Sequence, residues 1–427
     1  MPQSPPPRQI ALIGTLILAL SAALRLLLWW QLGGEPQWLP DSSSYIEPAR
    51  SLLKHGLFLN AGGGPDTVRT PGYPLFIALN TFLGWGLIGV VLLQHLLALG
   101  MALLVAGWSA PRFGNGVALA TGALASLNFL LCLYPNFLLS EILFASLTTG
   151  AILALGCAFE APSSALRPVI VAAILSSGAA LVRPIGVYFF LPACLALLLC
   201  LPGRRVAPTL AFLVVFALAP SAWMARNHTL TGQFTLSDIA GVNLLCYQAA
   251  GTLAIKDGGE YAVAHERIRN RLLADAQRQF AEQPWPEPHR SLNSIYMETA
   301  MGILRDNPGP FVRHLLRNIT ATLLGNGSAH LARLVGIDPG TARMTAAASA
   351  LPALLLALYG LFLMTARNPR FALLAFLTVA YFIGITALGG VGGSRFRIPL
   401  EPLLCLLQAL ALTNLGKRFL LRREPLR

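Results

Sequence analysis

The chain has 427 residues, of which 55% are hydrophobic and only 11% charged, and its mean hydropathy is +0.63. Soluble domains usually carry about 25% charged residues, so an ordinary cytosolic enzyme is excluded. The net charge of +13 does not read as a nucleic-acid surface, because Lys and Arg flank apolar stretches instead of forming one basic stripe with interleaved aromatics.

In chain order, a short Pro-rich polar segment, MPQSPPPRQI, precedes an apolar run from Ile10 to Leu32. That run exceeds the roughly 7 to 15 residues of a signal-peptide core and reads as a retained first helix. With about 20 apolar residues needed to cross a bilayer, spans are expected near 10–32, 86–108, 116–134, 137–158, 169–182, 186–201, 208–224, 345–365, 371–388 and 398–415. The expected fold is an all-α polytopic membrane protein with about ten transmembrane helices and amphipathic helices in two long loops. It divides into an N-terminal transmembrane region, 1–224, carrying the loop 33–85; a helical loop region, 225–344; and a C-terminal transmembrane region, 345–427.

With the N-terminus inside, the cytoplasmic segments hold Arg8, Arg112, Arg167, Arg204, Arg205, Arg367, Arg370, Lys417, Arg418, Arg422, Arg423 and Arg427, as the positive-inside rule requires. Both termini are then cytoplasmic, and the two long loops extracytoplasmic. In the second of these, Tyr261, Ala264, Ile268, Leu272, Ala276 and Phe280 recur at helical spacing against a charged face with Arg267, Arg271, Asp275 and Arg278. In the first, Tyr45, Ala49, Leu52 and Leu53 share a face, predicting a helix along the membrane surface.

Six cysteines without a CxxC imply neither a disulfide framework nor a zinc site. No Walker loop, GxGxxG, HExxH or GxSxG occurs. Sequons at Asn227, Asn318 and Asn326 are read as chance, and solitary histidines such as His95 and His330 as packed or solvated side chains.

The informative charges break the topology rules. Arg183, Arg395 and Arg397 fall in short extracytoplasmic turns that should be poor in cations, which points to an anionic ligand. The Gly-rich approach to Arg395 lets a backbone come close to that ligand. Arg25, beside Trp29 and Trp30, is expected to snorkel. Glu401 can pair with Arg397 four residues earlier, and Glu141 reads as a buried partner for an arginine.

The first loop carries the sharpest constellation: Asp41 ahead of an amphipathic helix, then Arg69 before Pro71-Gly72-Tyr73-Pro74. Ser44 and Glu47 match a capping box, which would leave the Asp41 carboxylate free. The Pro-Gly-x-Pro turn would fix Arg69 relative to it. One base with several cations suits transfer of a sugar from a lipid phosphate, because a phosphate departs without protonation. Asp41 would take a proton from the acceptor hydroxyl while Arg69, Arg395 and Arg397 stabilise the departing phosphate, with inversion at the anomeric centre. Glycoside hydrolysis needs two flanking carboxylates instead.

The order Asp41-x3-Tyr45-x3-Ala49, Arg69-x-Pro71-Gly72-Tyr73-Pro74, Leu139-Ser140-Glu141, Arg183-Pro184, Trp223-x2-Arg226-Asn227 and Arg395-x-Arg397-x-Pro399 resembles bacterial GT-C glycosyltransferases of the family 39-like group. That group includes protein O-mannosyltransferases and lipid A aminoarabinose transferases. The resemblance implies a polyprenyl-phosphate sugar donor, a hydroxyl acceptor on lipid, glycan or protein, and a bacterial inner-membrane setting with an extracytoplasmic site. It further implies Asp41 as general base, Arg69 as a phosphate-binding cation, and supporting places for Tyr45, Tyr73, Glu141 and Arg226. Relatives commonly have Glu after the Asp, where this chain has Ser42, and a Lys in a Pro-Pro turn near Arg69. Both departures leave the donor sugar open. No cofactor is required; dependence on a divalent metal stays open, because Asp41, Glu47 and Asp66 lie in the same loop. The alternatives are a transporter or flippase of a lipid-linked sugar, which would bind substrate near the midplane, a non-catalytic membrane scaffold, and a ligase using a lipid diphosphate.

Overall fold

The computed structural model describes residues 7–282, 291–325, 327, 332, 336 and 338–421. Arg422, Arg423, Arg427, His330 and the sequon residues Asn326 and Ser328 lie outside them. Helix α1 (Pro7–Gln31) is followed by two shorter helices, α2 (Ser42–His55) and α3 (Gly72–Phe82), before α4 (Gly86–Phe113). A pair bent by 53°, α5 (Asn115–Ser126) and α6 (Phe129–Leu133), leads into α7 (Glu141–Glu160), α8 (Leu166–Val182), α9 (Phe190–Cys200) and α10 (Val206–Thr231). The middle region holds α11 (Ile239–Asn243), a π turn at Leu244–Ala249, α12 (Ala250–Asp257), α13 (Tyr261–Ala281), α14 (Leu292–Asp306) and α15 (Pro308–Leu324). Last come α16 (Pro339–Arg367), α17 (Pro369–Leu388) and a 3-10 segment, Ser394–Leu400, running into α18 (Glu401–Leu421).

Among the described residues, seven helices are long and apolar enough to cross a bilayer, the α5–α6 pair makes an eighth if taken as one span, and Leu166–Val182 and Pro184–Cys200 are shorter apolar helices. The chain is a polytopic helical membrane protein. Helices satisfy their own backbone groups, which a bilayer core demands. Leu26, Leu96, Leu218 and Phe362 point outward, as they can where the surrounding solvent is lipid. Helix α7 sits at the centre against α4, α8 and α17. There a Cβ on Gly156 would lie 2.9 Å from the Trp108 ring, so only glycine admits this approach.

Several boundaries differ from the expected ones. Residues 33–85 contain α3 besides α2, because Pro71 stands at the helix N-cap and the turn it makes opens a helix. Helix α10 continues past 224 to Thr231, where Gly232 at φ +72 ends it. Helix α16 starts at Pro339, capped by Asp338, whose carboxylate accepts the Thr341 N–H at 3.0 Å. The stripe expected in the middle region is present: Ala264, Ile268, Leu272 and Ala276 are buried together with Leu245, Ile295 and Ala300 in a second core.

Arg25 does not snorkel. It is only 8% exposed, and its guanidinium donates to Leu131 O at 3.0 Å and meets His95 Nδ1 at 3.0 Å. The short α6 leaves carbonyls without helical donors, and Arg25 supplies one. His95 is accordingly a packed residue, its other ring nitrogen 3.3 Å from Asn136 Oδ1.

Candidate active site

Asp41 occupies the N-cap position of α2 but makes no capping hydrogen bond. The expected Ser44–Glu47 capping box is not formed, because the helix starts at Ser42 and places Ser44 inside the first turn. Ser44 Oγ instead donates to Asp41 O at 2.6 Å, and Glu47 pairs with Arg50 at 3.1 Å. The Asp41 carboxylate is thus free of the backbone and taken up by cations: Oδ1 accepts from Arg69 Nη2 at 2.9 Å and Oδ2 from Arg395 Nη1 at 2.8 Å.

Arg69 is held on every side. Nε donates to Ser44 Oγ at 2.8 Å, Nη1 to Tyr45 Oη at 3.2 Å, and the guanidinium carbon lies 4.4 Å from the Tyr45 ring centroid. Its backbone is fixed by Asp66, whose Oδ1 accepts the N–H groups of Val68 and Arg69 at 2.8 and 2.9 Å. This Asx turn positions Arg69, and the Pro71-Gly72 step that was expected to do so begins α3.

The remaining links close a circuit. Tyr45 Oη meets Ser140 Oγ at 3.2 Å; Arg183 Nη1 donates to the same Ser140 at 3.2 Å and to Glu141 Oε1 at 2.6 Å; Arg395 Nε donates to that Glu141 oxygen and returns to Asp41. Glu141 is the first residue of α7 and 2% exposed, so the positive helix end and two guanidiniums compensate its burial. Its second oxygen, Oε2, has no hydrogen-bond partner among the described residues. Counting the circuit, three arginines face two carboxylates, leaving one uncompensated positive charge. Burial works against ionisation of Asp41, but Arg395 and Arg69 outweigh it and hold the carboxyl below its ordinary range.

Asp41, Tyr45, Arg69, Arg183 and Arg395 line a cavity of about 590 Å³. Its wall includes Gly389 to Gly392 and, from the middle region, Tyr247, Tyr261, His265 and Arg317.

No family model and no curated protein matches the chain. Among solved structures, an oligosaccharyltransferase from Archaeoglobus fulgidus in the apo form aligns with 97% of this chain and 51% of its own, at a TM-score of 0.56 and 12% identity. The chain shares its fold with that protein. It spans about half the length of that archaeal protein. ArnT from Cupriavidus metallidurans, also apo, aligns with 88% of this chain and 77% of its own at a TM-score of 0.40 and 16% identity.

Within this fold, three expected site residues stand apart from the circuit. Arg397 turns away: it pairs with Glu401 at 2.6 Å and donates to Thr322 O at 3.1 Å and to Leu323 O, closing the C-terminal end of α15. The Arg397–Glu401 pairing was expected; a place for Arg397 beside Arg395 was not compatible with it, because the 3-10 turn aims the two side chains at different neighbours. Arg226 donates to Asp66 O at 2.5 Å and to Phe58 O at 3.3 Å, pinning the segment that carries Arg69. Tyr73 is fully buried, edge-on to Tyr45 at 5.1 Å, with its hydroxyl on Gln94 at 2.9 Å.

The glycines before Arg395 do approach a backbone closely, but it is the protein's own. A Cβ on Gly392 would lie 2.8 Å from Asn318 Cα, and Gly390, at φ +74, packs on Tyr247 and Gln248. Asp41, Glu47 and Asp66 are separately engaged, and among the described residues no three His, Cys, Asp or Glu side chains gather as a metal site. In the circuit, Ser140 was left without a role by the sequence; it joins Tyr45 to Arg183, and its place beside Glu141 in Leu139-Ser140-Glu141 was the available signal.

Proposed function

We propose that the chain is an inverting glycosyltransferase of a bacterial cytoplasmic membrane. It moves a sugar from a polyprenyl-phosphate donor to a hydroxyl acceptor at the extracytoplasmic face. The observation that carries this reading is the Asp41 carboxylate meeting Arg69 and Arg395 in a cavity where three arginines face two carboxylates. Asp41 accepts the proton of the acceptor hydroxyl as that oxygen bonds to the anomeric carbon. On the opposite face the bond from that carbon to the phosphate oxygen breaks, and polyprenyl phosphate leaves with the electron pair. The excess guanidinium charge of Arg69, Arg183 and Arg395 stabilises the oxygens on which charge builds. For Asp41 to receive the hydroxyl, one guanidinium shifts from the carboxylate to the phosphate. Arg395, with a second anchor on Glu141, is the side chain placed to make that exchange.

The test uses the full chain in liposomes with a panel of polyprenyl-phosphate sugars, scoring release of polyprenyl phosphate. Release by the wild type and not by Asp41→Asn supports the reading. Movement of labelled lipid across the bilayer by both proteins, with no release, would replace it with the flippase.

A further inference from the structure

The cavity that holds Asp41 is lined by four arginines among the described residues, and three of them are spent on carboxylates. Arg317 is the exception. It is exposed and among the described residues has no carboxylate partner, yet it is not loose: its guanidinium carbon lies 3.5 Å from the centroid of the Tyr261 ring. Tyr261 is backed in turn by His265, one helical turn along α13, at 5.5 Å and 16°, and His265 by Tyr247 at 6.2 Å and 26°. Below the stack, Tyr261 Oη meets His314 Nε2 at 2.9 Å, and His314 is fully buried.

This column does two things. It fixes the plane of Arg317, so the N–H edge of a guanidinium is presented already oriented, which favours two parallel bonds to one oxyanion. It also adds no competing charge. Burial first, then the Arg317 and His265 charges, push His314 down to about 4, and burial, Arg269 and Arg317 lower His265, so both rings are neutral at pH 7. A preset cation over a neutral aromatic column, opening into the reaction cavity, is built for an anion.

We infer that Arg317 binds an oxyanion group, phosphate or carboxylate, on the acceptor, so that the acceptor of this transferase is an acidic molecule. The assignment to the acceptor rests on the reading of Asp41 given above and on where the column stands. The cations assigned to the donor phosphate come from the first loop, the end of α8 and the segment before α18, whereas Tyr247, Tyr261, His265 and Arg317 belong to the π turn, α13 and α15 of the middle region.

The experiment takes the full chain in nanodiscs saturated with polyprenyl phosphate and titrates glucose, glucose 6-phosphate and glucuronate by calorimetry. At least one acidic sugar should bind tenfold or more above glucose. Preference for glucose 6-phosphate assigns phosphate, and preference for glucuronate assigns carboxylate. Arg317→Ala and Arg317→Gln should both erase the preference, and Arg317→Lys should keep part of it. Equal binding of the three sugars by the wild type, or a preference unchanged in Arg317→Ala, would overturn the inference. So would a tenfold loss of polyprenyl diphosphate affinity in Arg317→Ala with polyprenyl phosphate unaffected, which would give Arg317 to the donor. Failure of polyprenyl phosphate to bind the wild type is a separate result: it would remove the transferase reading itself, and the acceptor assignment with it.

Discussion

Arg395 Nη1 lies 2.8 Å from Asp41 Oδ2, so the segment before the last helix supplies a cation to a carboxylate in the first loop. The same guanidinium donates through Nε to Glu141. One side chain therefore ties the proposed base to the buried acid at the head of α7, and the behaviour of each carboxylate depends on it.

Asp41 is held below the ordinary aspartate range, because its two arginines outweigh the burial that opposes its charge. A base with a lowered pKa is ionised throughout the neutral range, so the transfer rate should be flat down through about pH 4, the ordinary aspartate value, and fall only below it. The folding stability that this carboxylate contributes is present above its unfolded pKa and is lost as the pH falls through the lower folded value. A pH–rate profile with its acidic limb at pH 6 to 7 would contradict this assignment. Asp41→Asn should cut transfer by about 10²- to 10⁴-fold while the protein still purifies as a folded species.

Glu141 is nine-tenths or more buried and shared between Arg183 and Arg395. Glu141→Gln leaves both guanidiniums facing a neutral amide, and loss of one partner of a buried pair costs about 3–5 kcal/mol. Thermal unfolding in detergent should register that loss. Adding Arg183→Met should recover part of it, since the two changes act on one interaction.

Arg69 uses three nitrogens on three different acceptors, Ser44, Tyr45 and Asp41. A lysine there has the charge but a single donor centre and no planar face for Tyr45. Arg69→Lys should lower the transfer rate roughly tenfold or more with little change in unfolding temperature, measured in the same liposome assay. Unaltered transfer would mean that only charge, and no orientation, is required at this position.

Arg397 should behave in the opposite way. Its partners are Glu401, which is 5% exposed at the side chain, and the last carbonyls of α15. Arg397→Ala should lower stability by about 3 kcal/mol or more and leave polyprenyl phosphate affinity unchanged in a direct binding titration. A selective loss of that affinity would return Arg397 to the phosphate site.

The span pattern was legible because a bilayer enforces one rule on every crossing helix, and Gly86–Phe113 and Pro369–Leu388 obey it, with no Asp, Glu, Lys or Arg except Arg112 and Arg370 near their ends. Arg183, Glu141 and Arg395 were legible as charges in forbidden places and Asp41 and Arg69 as a constellation in the first loop, and they do converge. Direction was not legible. Arg395 and Arg397 are two residues apart, and only the 3-10 geometry between them decides that one faces Asp41 and the other Glu401. Arg25 was misread for a related reason: a sequence shows its nearness to an interface but not the open carbonyl of Leu131 more than a hundred residues away. Ser140 and Arg317 act through neighbours that no local pattern announces.

The hydrogen-bonded circuit also fixes when the site comes into being. A ribosome delivers Asp41, Arg69, Glu141 and Arg183 first, but Arg395 emerges only after the middle region and the helices α16 and α17. Without it, Glu141 has Arg183 and Asp41 has Arg69, two ion pairs linked only through the hydroxyls of Tyr45 and Ser140. Closure of the circuit therefore waits for the Gly-rich segment, and a nascent chain stopped short of it holds a base without the cation it shares with Glu141.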